Sequence, residues 1–244
     1  MTIDRPPVNA LNPAVLGELE KVFAEITRDE RAGVVVLTGA GGKAFVAGAD
    51  IGDLPGITPE AAMKYSRFAQ RVYHEIVGEC EKVVVCAVNG MAIGGGCELA
   101  MGADIRIAAE NAVFSLPELN LGVIPGGGGT QVLPRMIPPG KAKQLILTGD
   151  VLVAKEAREL GLVEEVVPKG EALQRAKEVA GKILAKAPLA VQAAKKAINE
   201  GRNLPLKEGM MLEAAYWRAL CATEDQKEGA RAFLEKRKPV FKKK

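Results

Sequence analysis

The sequence predicts an α/β core followed by a helical C-terminal region. Short β-branched runs bounded by glycine alternate with helix-period segments through the first part of the chain. From Gly140 onward the strand pattern gives way to successive helical patterns separated by Gly or Pro. The chain has 244 residues, 48% hydrophobic and 26% charged, so it can bury a large core and disorder as the dominant state is excluded.

The elements follow in order. The start, Met1-Thr-Ile-Asp-Arg-Pro-Pro7, has room for only a stub of strand. A helix begins after Asn12, which caps it. Pro13 takes the first helical position, and Val15, Leu16, Leu19, Val22, Phe23 and Ile26 recur at helical spacing. Residues 34–38 form a buried strand between glycines. Thr58 caps a second helix with Pro59 behind it, running to about Gly78. Residues 83–88 are a second buried strand, turned by Asn89-Gly90. Gly94-Gly95-Gly96 then leads into a helix, and residues 104–108 and 112–115 are short strands. The run from Gly126 to Gly129 reads as close packing or a helix start. Helices follow over 140–147, 154–160, 170–187, 188–201 and 205–236.

Composition excludes several function classes. Much of the net charge of +3 lies in the last ten residues, and no basic stripe of a nucleic-acid binder is visible. Aromatics at 4% argue against base stacking. The single histidine, His74, rules out a His-rich zinc site and reads as structural. Cys80, Cys86, Cys97 and Cys221 form no CxxC pair, which speaks against a metal site and a redox motif. No signal peptide is evident, and the longest uncharged stretch, 83–97, is too short to span a bilayer. The expectation is a soluble cytoplasmic protein.

Three segments could carry chemistry. Gly94-Gly95-Gly96 at a strand-to-helix junction exposes backbone N–H groups that could hold a phosphate or an oxyanion, or could serve only as a tight turn. Glu98 and Glu118 each sit in an apolar stretch, where a carboxylate is costly unless hydrogen-bonded or functional. Two facing carboxylates could hold one water and share its protons; separate capping roles are the alternative. Residues 43–51 follow a strand, and an N–H there could be a second oxyanion donor.

In order, Phe45-Val-Ala-Gly-Ala-Asp-Ile51, Ala87-Val-Asn-Gly-Met-Ala-Ile-Gly-Gly-Gly-Cys-Glu-Leu-Ala100, Leu116-Pro-Glu-Leu-Asn-Leu-Gly-Val-Ile-Pro-Gly126 and Gly128-Gly-Thr-Gln131 closely resemble the enoyl-CoA hydratase (crotonase) family. The resemblance continues through 147–150, 154–163 and 233–238. It implies a crotonase-like spiral of ββα units over 1–187, with a helical C-terminal trimerisation region over 188–244. It implies homotrimers or dimers of trimers, an acyl-CoA thioester substrate, and no metal or redox cofactor, CoA being part of the substrate. Ala49 and Gly95 fall on the oxyanion donors. Glu98 and Glu118 fall on the two catalytic glutamates, with Glu98 orienting the water and Glu118 delivering a proton to C2. Ala47, Asp50 and Ile51 match positions near the adenine end of CoA. Lys238 and Phe241 match a tail that reaches a neighbour's CoA. The family's N-terminal hairpin has no counterpart ahead of Ile3, which leaves a sheet edge uncovered. Pro7 replaces a basic CoA contact, and Leu116 stands where some hydratases have Gln.

The leading function is therefore a short- to medium-chain enoyl-CoA hydratase. An enoyl-CoA isomerase needs one carboxylate, so the pair favours hydration. A binding protein on the same scaffold, including an RNA binder, would have no use for the pair, and a scaffold alone does not decide function.

Overall fold

The computed structural model describes residues 1–50, 52 and 54–244. Its strands fall into two sheets. β1 (Thr2–Ile3), β2 (Val34–Gly39), β4 (Val83–Val88), β6 (Ile105–Ala109) and β9 (Glu165–Val167) form an all-parallel sheet in that order. β3 (Ala44–Ala47), β5 (Met91–Ile93), β7 (Val113–Ser115) and β8 (Leu152–Val153) form the second, parallel except for the β7–β8 pair. Consecutive strands therefore alternate between sheets: β2 then β3, β4 then β5, β6 then β7. With helices between the pairs, this is the ββα spiral expected from the resemblance.

The central strands are apolar on both faces, as parallel strands covered on both sides must be. All six residues of β4 are buried. One face joins a core with Leu16, Leu19 and Phe23 of α1 (Pro13–Arg28) and Leu99 of α3 (Gly95–Gly102). The other face, with Val83, Val85 and Ala87, packs on Ala172 and Ala176 of α7 (Ala172–Leu184).

The expected caps are present: Asn12 accepts from the Val15 N–H and Thr58 from the Ala61 N–H. α4 (Gly129–Met136), α5 (Pro139–Thr148), α6 (Ala154–Leu160) and α8 (Pro188–Gly201) lie close to the predicted positions. Two elements differ. The helix read as 58–78 is α2 (Pro59–Gln70) followed by a π-helical stretch, Arg71–Gly78. The helix read as 205–236 is two, α9 (Leu206–Leu220) and α10 (Glu224–Leu234). Thr223 breaks it by capping α10 through the Gln226 N–H, with no Gly or Pro to signal the stop. Strands β3, β5, β8 and β9 were not predicted. They have four residues or fewer, too short for a local pattern.

A buried ion pair fixes the turn ahead of β6. Lys195 Nζ on α8 donates to Asp104 Oδ2 at 2.7 Å and to the Lys82 carbonyl at 3.1 Å. The same Asp104 oxygen accepts from the Val84 N–H at 2.7 Å. This ties α8 to the start of β4, the strand that leads into the glycine triplet. Removing one partner of a buried pair leaves an uncompensated charge, so Lys195→Met is expected to cost about 3 kcal/mol. The double variant with Asp104→Asn should lose much less. Urea midpoints measure both.

Candidate active site

Glu98 lies in the first turn of α3 and is 3% exposed. Its Oε1 accepts the N–H groups of Gly127 and Gly129, each at 2.8 Å. The glycine run thus does more than pack or start α4: it holds a carboxylate. Burial pushes the Glu98 pKa up to about 7, opposed by these two donors and assisted by the nearby Glu118 charge. Glu118 begins a 3-10 turn, Glu118–Leu121, directly after β7 and Pro117. Its Oε2 is buried with no hydrogen-bond partner among the described residues, and burial raises its pKa as well. An orphaned buried carboxylate oxygen is costly and calls for a partner supplied from outside the chain.

Gly94 has φ +51, a conformation that favours glycine, and a Cβ there would lie 2.9 Å from Glu118 Oε1 and 3.7 Å from the Gly48 Cα. At Gly96 a Cβ would run into the Val46 carbonyl. The triplet is therefore set against β3, with Glu118 over its first residue. Gly95 opens α3, and its N–H belongs to the unsatisfied first turn. On the facing segment, Ala49 bridges to Leu11. The Leu11 N–H donates to the Gly48 carbonyl at 2.9 Å and the Asp50 N–H to the Leu11 carbonyl at 2.6 Å, leaving the Ala49 N–H outside the ladder. Among the described residues, neither predicted donor N–H has an acceptor, and the two lie on neighbouring segments, Gly94 beside Gly48 and Glu118.

The softer positions fare differently. Ala47 ends β3, paired with Ile93. Asp50 is engaged by Arg5 at 2.7 Å, and this guanidinium holds its carboxyl below the usual range. Ile51 lies outside the described residues. Within one chain, Lys238 and Phe241 are not brought to the carboxylates. The tail folds back on α10 through the Val240 N–H, which donates to Glu228, and Phe241 lines a cavity of about 280 Å³ with Arg31, Lys82 and Val191. Among the described residues, no cluster of three or more His, Cys, Asp or Glu is placed to hold a metal ion.

Sequence reasoning missed the support of the glycine loop. Ser66 Oγ donates to the Gly126 carbonyl at 2.6 Å and Gln70 Nε2 to the same oxygen at 3.0 Å. His74 Nε2 meets the Gly127 carbonyl at 2.8 Å; a carbonyl only accepts, so Nε2 carries the proton. The signal was the spacing 66, 70, 74, one polar stripe on one helix face. His74 is structural, as expected, but its task is to position the loop that holds Glu98.

The comparisons with known proteins point one way. A family model described as "Enoyl-CoA hydratase/isomerase" matches residues 1–244. The chain is 47% identical over 240 residues to "Crotonyl-CoA hydratase" of Syntrophomonas wolfei, covering 98% of this chain and 92% of that one. It is 45% identical over 239 residues to "Short-chain-enoyl-CoA hydratase" of Clostridium acetobutylicum, covering 98% and 91%. The crystal structure of an enoyl-CoA hydratase from Bacillus anthracis superposes with a TM-score of 0.94 at 41% identity, covering 100% of this chain and 95% of that one.

The raised Glu98 pKa has a consequence for stability. An unfolded glutamate ionises near 4.5, whereas folded Glu98 holds its proton to about 7. The favourable contribution is thus complete below 4.5 and is lost as pH rises through 7. Glu98→Gln cannot ionise and still accepts both amides. Its stability relative to wild type should rise by about 3 kcal/mol between acidic and alkaline pH. Denaturation series across that range check it, and a pH-independent difference would contradict it.

Proposed function

The chain belongs to the enoyl-CoA hydratase/isomerase family and is a hydro-lyase acting on enoyl-CoA thioesters, and from that premise we propose how its residues carry out the addition of water. The thioester oxygen accepts from the N–H groups of Ala49 and Gly95. The enoyl C3 then faces a water held between Glu98 and Glu118. Ionised Glu98 takes a proton from that water as its oxygen bonds to C3. The double-bond electrons move toward the thioester, and the enolate oxygen is stabilised by the two amides. Protonated Glu118 gives its proton to C2, yielding 3-hydroxyacyl-CoA, and the pair exchanges one proton to reset.

The observation that carries this reading is the buried carboxylate pair, one member with an unpartnered oxygen, beside two free backbone amides. An isomerase would need only one of these carboxylates. The chemistry draws on no metal or redox cofactor, so dialysis against a chelator should leave the rate unchanged. We further propose a cytoplasmic, reducing location, which suits the buried free thiols Cys80, Cys86 and Cys97. No helix among the described residues is long and apolar enough to cross a membrane.

Self-association is part of the proposal. Met210, Met211, Trp217, Phe233 and Leu234 are exposed on α9 and α10, Trp217 by 70%. So large an apolar set on adjacent helices matches an interface rather than a solvated face. The C-terminal helices, 188–244, are assigned as the region that builds a homotrimer or a dimer of trimers.

Three outcomes are expected. Mixed with crotonyl-CoA, wild type should bleach the conjugated-thioester absorbance, with Glu98→Gln and Glu118→Gln each slower by about 10²-fold or more. The wild-type rate should fall as pH drops below about 7, because protonated Glu98 cannot accept the water proton. Separately, sedimentation should show an oligomer in wild type and a lighter species in Trp217→Asp.

A further inference from the structure

The phenol of Tyr73 has no place in the scheme above, and its surroundings call for one. Tyr73 is 1% exposed, and no described residue hydrogen-bonds to its hydroxyl. A polar group on so buried a side chain ordinarily has a partner, and phenylalanine would fill the same space. The hydroxyl is aimed at a specific place. A Cβ added to Gly95 would lie 3.0 Å from the Tyr73 oxygen, with a Leu11 methyl next at 3.7 Å. Leu11 is the residue whose backbone holds the Gly48–Asp50 segment, so Gly95 is flanked by the phenol and by the residue that carries the other donor segment. The ring lies over Gly127: a Cβ there would sit 2.5 Å from ring carbon Cε2 and 2.5 Å from Glu98 Oε2. The residue is therefore wedged between the amide at Gly95 and the cradle of Glu98.

We propose that Tyr73 is a third hydrogen-bond donor of this site, its O–H directed to the thioester oxygen alongside the amides of Ala49 and Gly95. The inference rests on the hydratase reading above. In the resting site a water takes the bond; bound substrate replaces it, and the bond strengthens as charge develops on the enolate oxygen. Burial, Tyr65 and the charges of Glu98 and Glu118 all hold the phenol well above its ordinary pKa, so it remains a donor at any working pH. The π-helical stretch aims the consecutive residues Tyr73 and His74 at the same glycine loop, His74 at the Gly127 carbonyl and Tyr73 across Gly127 toward Gly95. π-helical turns recur at functional sites.

Tyr73→Phe tests it, with two readouts. With crotonyl-CoA, kcat should fall by about 10²-fold while KM changes little, as for loss of one oxyanion donor. With cinnamoyl-CoA, the red shift of the bound conjugated thioester, which reports carbonyl polarisation, should shrink relative to wild type. The variant should be about as stable as wild type, since the ring and its packing are kept. Unchanged kcat with an unchanged shift overturns the proposal; so does a fall in kcat that tracks lost stability with the shift intact. If wild type shifts cinnamoyl-CoA yet does not hydrate crotonyl-CoA, the hydratase reading fails, and the shift alone decides Tyr73. No shift in wild type overturns both.

Discussion

A largely buried carboxylate, gripped by two backbone amides, is the constraint on which the rest of the site depends. Glu98 is free to point inward only because Gly127 and Gly129 present their N–H groups to one of its oxygens. That loop, in turn, is held by Ser66 and Gln70 of α2 and by His74 of the π-helical stretch that follows it. Burial then sets the chemistry. Desolvation disfavours the charged form, the amides favour it, and the balance leaves a proton acceptor poised near neutrality. Glu118 lacks such donors at Oε2, which suits a group that carries and releases a proton.

The fold delivers these parts by alternation between two sheets. β4 leads into β5 and the glycine triplet, and β7 leads into Glu118, so successive turns of the spiral deliver the first carboxylate and then the second. β3 delivers the Ala49 segment from the turn before. Close backbone contact between Gly96 and Val46 sets the two proposed oxyanion-donor segments against each other. The Lys195–Asp104 pair anchors the opposite end of β4. A small displacement at any of these contacts would spread the donors, and catalytic groups lose rate steeply when misplaced.

The carboxylate pair was legible in the sequence because charge in an apolar stretch is rare, and the resemblance assigned both positions a role. The long buried strands and the capped helices were legible for similar local reasons: β-branched runs at β2 and β4, Asn12 and Thr58 ahead of a proline. What escaped were interactions between distant segments. The cradle of Glu98 joins residues about thirty apart through backbone amides, which leave no side-chain signature. Strands β3, β5 and β8 of the second sheet are too short to show a period. The split between α9 and α10 rests on a single threonine cap. The tail folds back on α10 through the Val240 N–H, with Phe241 in a cavity lined by Arg31 and Lys82. Tyr73 carries no local signal either, because what singles it out is the approach of its hydroxyl to Gly95.

The central claim is that burial turns Glu98 into a base that titrates near neutrality. Difference infrared spectra of wild type against Glu98→Gln, recorded across a pH series, observe that carboxyl directly. A protonated-carboxyl band that disappears with a midpoint at about 7 and is missing from the variant is the expected result. A wild-type spectrum in which every carboxyl has ionised in the ordinary glutamate range, with nothing lost in the variant near neutrality, would contradict it.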